Sequence, residues 1–196
     1  MIFISAGHHA GAQGAKWNGF TEWMEAQQWV HILLTILSNE IVTKVPPGLL
    51  RHKVRFINEH ARTNDMAVEI HFNSAVVNGT HVGKGCETLY FPGSEHGKAL
   101  ANLIQDKLKE VFPPDRGAKE GWYRMDRPGV VDYDGDVDGD EKIDYFLRKT
   151  NCPAVIVEPD FIHRSSRLMM ERFRGCSAIA RALLEAKRVL GSTGAT

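Results

Sequence analysis

The chain has 196 residues, of which 43% are hydrophobic and 24% are charged, values that are typical of one soluble domain with a sizeable core. Its 24 basic and 24 acidic side chains balance, which argues against nucleic acid or an anionic membrane surface as a partner chosen by net charge. The three cysteines, Cys86, Cys152 and Cys176, are widely spaced and form no Cys-x-x-Cys pair, so they argue against a disulfide scaffold and favour a reducing compartment.

The amino terminus has no basic segment followed by an apolar one, so the sequence predicts no signal peptide. No apolar stretch reaches the ~18–20 residues that a membrane-spanning helix needs. We therefore expect synthesis in the cytoplasm and no insertion into a membrane.

Apolar runs rich in β-branched residues alternate with segments of helical periodicity along the chain. Strands are predicted near residues 2–6, 41–45, 67–72, 87–91 and 154–158, and helices near 21–37, 48–63, 94–111, 145–147 and 165–190. Residues 73–85 are predicted as a loop, and residues 115–144 as the least regular part. This alternation predicts a single α/β domain, a twisted and mostly parallel β-sheet with helices on both faces.

Three of the predicted strands end in side chains that can bind metal. The run at residues 2–6 leads to His8, the run at 67–70 leads to His71, and the run at 154–157 ends in Glu158. Because ligands of open α/β sheets bind at the carboxyl ends of the strands, we expect one metal site at this edge.

Glu22 completes a ligand set for zinc. On the helix that Thr21 caps, Glu22 lies on the same side as the apolar stripe that contains Trp29 and Leu33, so it points into the protein. Zinc in hydrolases is typically held by two imidazoles and one carboxylate, with a position left for water. His8, Glu22 and His71 supply this set, and Glu158 can then serve as the general base and acid.

Each of these residues also has a structural interpretation when it is taken alone. A histidine at a strand end can be a capped or solvent-facing imidazole, Glu22 can complement the helix dipole, and Glu158 can pair with an arginine. Glu25 remains a reserve ligand if the helix begins elsewhere. The conjunction of the four side chains is what favours the metal site.

Four segments resemble, in order, the four motifs of the zinc-dependent N-acetylmuramoyl-L-alanine amidases of bacterial cell walls and phage endolysins. They are residues 5–8 (SAGH), 18–22 (NGFTE), 69–73 (EIHFN) and 153–158 (PAVIVE). Residues 85–90 (GCETLY) and 116–119 (RGAK) resemble the connecting segments of that family.

The resemblance implies a phosphorylase/hydrolase-like fold and cleavage of the amide bond between N-acetylmuramic acid and L-alanine of the stem peptide. By position, it assigns His8, Glu22 and His71 as Zn²⁺ ligands and Glu158 as the catalytic glutamate. Residues 1–190 would form the catalytic domain and residues 191–196 a flexible tail. The substrate would be peptidoglycan, so the enzyme would act on the cell wall, and a separate holin could give it access.

Two positions depart from the family pattern. Lys53 stands nearest to a position where the family often has arginine, so an ion pair of the family is expected to be altered. His9 stands where the family usually has glycine or another small residue, and we interpret it as a neighbour of the site that does not bind metal.

The acidic segment at residues 132–141 is an insertion before the last strand. Asp134, Asp136 and Asp138 have the alternation of a calcium loop, with Gly139 at its sixth position. The twelfth position is a tyrosine, which excludes an EF-hand, although Asp144 could partly compensate. Ca²⁺ binding and a solvated acidic loop both remain open.

Two other functions are compatible with the same sequence. A zinc carboxypeptidase or aminopeptidase on a related sheet would cut peptide termini instead of the muramoyl amide. A non-catalytic cell-wall or calcium-binding module would keep only the fold, but binding alone does not require Glu158.

Overall fold

The computed structural model describes residues 1–37, 41–123 and 142–192. The helices are α1 (Glu22–Ile36), α2 (Leu50–His60), α3 (Glu95–Leu108), α4 (Tyr145–Lys149) and α5 (Ser165–Ser192), with a 3₁₀ turn at Ile162–Arg164. The strands are β1 (Ile2–Ala6), β2 (Lys16–Trp17), β3 (Phe20–Thr21), β4 (Val42–Lys44), β5 (Met66–Ile70), β6 (Val76–Val77), β7 (Thr80–His81), β8 (Cys86–Tyr90), β9 (Asp115–Glu120), β10 (Trp122–Tyr123), β11 (Lys142–Ile143) and β12 (Ala154–Glu158).

The central sheet of the described chain has six strands in the order β4-β1-β5-β12-β8-β9. β4, β1, β5 and β12 are parallel to one another, whereas β8 is antiparallel to β12 and parallel to β9. The carboxyl ends of β1, β5 and β12 therefore meet at one edge, which the amino end of β8 also reaches. Small antiparallel ribbons pair β2 with β3, β6 with β7 and β10 with β11.

Helices cover both faces of the sheet, as the uniformly buried strands require. One core packs alternate residues of β1, β5 and β12 against α1, α3 and α5, with Trp29 and Leu33 fully buried. The opposite core contains Phe3 and Ile156 and is covered by α2 and α4. The predicted single α/β domain with a mostly parallel sheet is confirmed.

Local polar contacts explain where several helices begin. The Thr21 hydroxyl accepts a hydrogen bond from the backbone N–H of Met24, and Ser94 accepts one from Gly97. Asp144 accepts from Phe146 at the start of α4. Each cap satisfies an N–H group that has no partner inside its helix, and the Thr21 cap puts Glu22 in the first turn.

The boundaries differ from the predictions at three places. β9 lies within the segment predicted to be irregular, β6 and β7 form a hairpin within the predicted loop 73–85, and α5 continues to Ser192, two residues past the predicted end of the last helix at residue 190. Of the described helices, none is long and apolar enough to cross a membrane.

Candidate metal centre

The ends of two neighbouring strands deliver the two predicted histidine ligands. Backbone pairing continues past both strands, because the N–H of Gly7 donates to Ile70 at 2.8 Å and that of His71 donates to Val157 at 2.9 Å. His8 then adopts a positive φ of 60°, which is uncommon for a residue with a side chain. Both imidazoles consequently lie at the carboxyl edge of the sheet.

His8, Glu22 and His71 converge there as the sequence predicts. Each offers one ligand atom, and these atoms all lie within 4.8 Å of one another. The Glu22 carboxylate contacts Nε2 of His8 and lies 4.0 Å from Nδ1 of His71. The two imidazole rings meet edge-on, with centroids 4.9 Å apart.

Two glycines leave the room that this convergence needs. A Cβ atom on Gly7 would lie 2.5 Å from Nε2 of His71, and one on Gly14 would lie 2.5 Å from Nε2 of His8. Gly14 also has a φ of +72°, which side chains other than glycine rarely adopt. The backbone therefore approaches both imidazoles more closely than any other residue type would allow.

The donor set fits a zinc ion. Two imidazoles and one buried carboxylate form the set that hydrolytic zinc sites use. Glu25, the reserve ligand, is not part of this group. Its carboxylate accepts hydrogen bonds from Nε1 of Trp29 at 3.0 Å and from Arg172 at 2.7 and 2.9 Å.

Glu158 lies at the end of β12 and lines the same cavity of about 500 Å³ as His8, Glu22 and His71. Burial raises the pKa of its carboxyl group to about 7. The positive charge of His71 opposes this increase, whereas the negative charges of Glu87 and Glu22 add to it. A carboxyl group with a pKa near neutrality can both accept and donate a proton.

Glu87 lies beside Glu158 because β8 runs antiparallel to β12, which pairs the two residues in register. Its carboxylate accepts a hydrogen bond from the Asn73 amide and forms ion pairs with Arg116 at 3.0 Å and Lys119 at 2.7 Å. The cluster places guanidinium and ammonium groups next to the candidate general base.

A buried acid–base network lies behind His71. Glu69 approaches Nε2 of His71 at 3.1 Å, and Lys53 donates to Glu69 at 2.9 Å. Burial opposes the charged form of Glu69, but the hydrogen bonds and charges of His71 and Lys53 outweigh it and lower the pKa of Glu69 to about 2. Burial likewise opposes protonation of His71, but Glu69 and the other carboxylates raise its pKa to about 9.

The sequence analysis did not assign Glu69 a role, although a signal was available. Residues two apart on a strand point to the same face, so Glu69 and His71 had to share a side of β5. Lys53, noted only as a departure from the family pattern, provides the positive partner of Glu69 in this chain.

The chain matches the family model described as N-acetylmuramoyl-L-alanine amidase over residues 2–185. The chain belongs to the N-acetylmuramoyl-L-alanine amidase family. The predicted family and the hydrolase class are thereby confirmed. The assignment of individual metal ligands and of the catalytic glutamate remains a prediction for this amidase.

Solved structures of amidases share the fold. The N-acetylmuramoyl-L-alanine amidase from Clostridium difficile 630 is 21% identical, with 96% of each chain covered and a TM-score of 0.75. The CwlV catalytic domain from Bacillus (Paenibacillus) polymyxa var. colistinus is 20% identical, with 96% of this chain and 98% of that chain covered and a TM-score of 0.73. The catalytic domain of the CD27L endolysin, which targets Clostridia difficile, is 22% identical over 94% of this chain and 96% of that chain, with a TM-score of 0.66. A comparison with curated protein sequences finds no significant match.

The remaining predicted residues lie at the margin of the amidase site or outside the described chain. His9 lines the cavity, and its Nδ1 accepts a hydrogen bond from the N–H of Gly11. Asp144 also lines the cavity, where it caps α4. The calcium prediction at Asp134, Asp136 and Asp138 falls on residues outside the described ranges.

Proposed function

We propose that this amidase hydrolyses the amide bond between N-acetylmuramic acid and L-alanine of peptidoglycan, with zinc held by His8, Glu22 and His71. The supporting observation is the convergence of these three side chains in one cavity with Glu158, whose pKa is raised to about 7. When bound, a zinc ion supplies a Lewis acid that makes water more acidic and polarises a carbonyl group.

Glu158 acts as the general base and then as the general acid. Its carboxylate accepts a proton from the attacking water, and the resulting carboxyl group donates that proton to the leaving nitrogen of L-alanine. A pKa near neutrality suits both steps, because neither form of the side chain is strongly favoured.

The proposal is tested by Glu158→Gln and His71→Ala, assayed for zinc content and for products released from purified sacculi. Glu158→Gln should keep its zinc and lose turnover, whereas His71→Ala should lose both. Glu25→Gln is the matched control, because it changes a buried carboxylate on α1 that pairs with Arg172 outside the ligand group. It should cleave sacculi like the wild type.

Mass spectrometry of the products distinguishes the alternatives. Free glycan strands and stem peptides with an L-alanine amino terminus identify an amidase. Single amino acids released from peptide ends would identify an exopeptidase instead. Turnover retained in Glu158→Gln would remove this residue from the mechanism, and sacculus binding without any release would leave only a binding module.

We also propose that the enzyme acts on the cell wall outside the cytoplasmic membrane. An amidase made in the cytoplasm needs a route to that substrate, and a separate holin would supply it. Lysis on co-expression with a holin, but not on expression alone, is the expected result.

A further inference from the structure

We propose that Glu69 and Lys53 form a positioning network that fixes both histidine ligands, so that zinc affinity depends on two buried side chains outside the ligand set. This inference rests on the metal centre proposed above. It concerns how the centre is built, and it adds two residues to which neither the motifs nor the comparisons assign a role.

Glu69 determines which nitrogen of His71 is free to bind metal. Its Oε2 atom lies 3.1 Å from Nε2 of His71, and an ionised carboxylate can only accept a hydrogen bond. Nε2 therefore carries the hydrogen, and the lone pair of the neutral ring is on Nδ1. That nitrogen is the one that lies 4.0 Å from the Glu22 carboxylate. A carboxylate in this position orients a metal-binding imidazole and increases its basicity.

Lys53 forms an ion pair with Glu69 and also reaches the other histidine. Its ammonium group donates to Oε1 of Glu69 at 2.9 Å, to the backbone carbonyl of His8 at 2.9 Å and to that of Ala6. These contacts use all three donors of a lysine. The side chain is 2% exposed, so water does not compete for them.

The contact with the His8 carbonyl has a specific consequence. His8 has a φ of 60°, a conformation that costs free energy for a residue with a Cβ atom. The hydrogen bond from the buried ammonium group of Lys53 holds the carbonyl of that residue in place. The network thus fixes the backbone of one histidine ligand and the ring of the other.

The fold builds the network from three elements. Ser5 and Glu69 are direct neighbours in the register of β1 and β5, and the Ser5 hydroxyl donates to Oε1 of Glu69 at 3.1 Å. Lys53 reaches them from α2, which covers the same face of the sheet. Glu69 consequently has a partner on each oxygen, and its orientation is determined.

The competing interpretation is a buried ion pair that only stabilises the fold. Removing one partner of such a pair leaves an uncompensated buried charge and destabilises the protein, whatever the pair does for the metal. Both interpretations predict a loss of stability, so a stability measurement cannot distinguish them. The zinc affinity of the folded protein can distinguish them, because only the positioning network predicts that it decreases.

The experiment measures the zinc dissociation constant by competition with a chelator, for the wild type, Glu69→Gln and the double variant Glu69→Gln/Lys53→Met. We expect Glu69→Gln to bind zinc about 10- to 100-fold more weakly, the range for partners of metal-binding histidines. The double variant removes the unpaired lysine and should regain stability, but its zinc affinity should stay low. Glu25→Gln is the control, because it breaks a buried ion pair elsewhere and should bind zinc like the wild type.

Imidazole nitrogen NMR spectra give a second readout. In the zinc-loaded wild type, His71 should bind through Nδ1 and carry its hydrogen on Nε2. Wild-type zinc affinity in Glu69→Gln, or recovery of affinity in the double variant, would reduce the network to a structural ion pair. A wild-type protein that binds no zinc would instead overturn the metal centre itself, and this inference with it.

Discussion

Replacing Glu158 with glutamine is expected to stabilise the metal-free protein above neutral pH. Burial raises the pKa of Glu158 from 4.5 to about 7, so the folded protein retains a proton that the unfolded chain releases at lower pH. The cost of ionising this buried group is absent below about pH 4.5, grows as the pH rises and is fully present above about pH 7. Stability contributed by this residue therefore falls with increasing pH over that interval.

The size of the effect follows from the pKa. At about 1.36 kcal/mol per pH unit, the change from 4.5 to about 7 corresponds to roughly 3 kcal/mol. Glutamine has nearly the same shape and no ionisable proton, so Glu158→Gln removes this cost. A gain of this size is a large part of the roughly 5–15 kcal/mol that holds a domain folded.

Urea unfolding of the metal-free wild type and Glu158→Gln measures this gain. The variant should be about 3 kcal/mol more stable at pH 8 and similar to the wild type near pH 4.5, the two ends of the interval. Added zinc should reduce the gain at pH 8, since a nearby cation stabilises the carboxylate. A stability difference that does not change with pH would refute the assignment of a raised pKa to this residue.

Three further predictions concern positions around the site and in the core. Gly7→Ala puts a Cβ atom 2.5 Å from Nε2 of His71 and should lower zinc content in a protein that is still folded by circular dichroism; full zinc content would contradict it. Trp29→Ala removes a fully buried side chain that packs against two phenylalanine rings and should cost about 3–5 kcal/mol in denaturant unfolding. Cys86 is fully buried, and burial raises the pKa of its thiol to about 12, so this thiol should react with a thiol reagent only after unfolding, as measured by absorbance with and without denaturant.

The candidate ligands could be predicted because the chain signals them locally. β1, β5 and β12 are apolar runs with a polar, metal-binding type of residue at or just after their carboxyl ends. Because these strands are parallel to one another, those residues lie at the same edge of the sheet. Glu22 was predictable from helical phase, since it shares the side of α1 that carries Trp29. Each of these signals lies within a few residues of the side chain concerned.

Elements without an apolar pattern were harder to predict. β9 has the sequence DRGAKE and forms the edge of the sheet beside β8, where its residues are only partly buried. The hairpin of β6 and β7 did carry a signal that was overlooked. Asn78 and Gly79 lie between β6 and β7 and both have positive φ values, and an Asn-Gly pair between two short strands is typical of a tight hairpin turn.

The direction of β8 and the network around Glu69 could not be predicted from local pattern. Both depend on lateral contacts between segments far apart in the chain. The antiparallel direction of β8 puts Glu87 next to Glu158, and α2 brings Lys53 across β1 to Glu69. The hydrophobic periodicity of a sequence indicates which face of a helix or strand a residue occupies, but not which residue of another element it contacts there.

Charge balance explains the buried lysine of the site and supports the proposed metal ion. Among the described residues that line the cavity, four are carboxylates, Glu22, Glu69, Asp144 and Glu158, and Lys53 is the one lysine. Lys53 neutralises Glu69, which leaves that carboxylate to orient His71, and Asp144 is held by the amino end of α4. Glu22 and Glu158 then face the histidines, and among the described residues that line the cavity neither has a lysine or arginine as its own ion-pair partner. A divalent cation held by His8, Glu22 and His71 would add positive charge beside these carboxylates. It would also lower the cost of ionising Glu158, and the ionised form is the one that accepts a proton in the proposed mechanism.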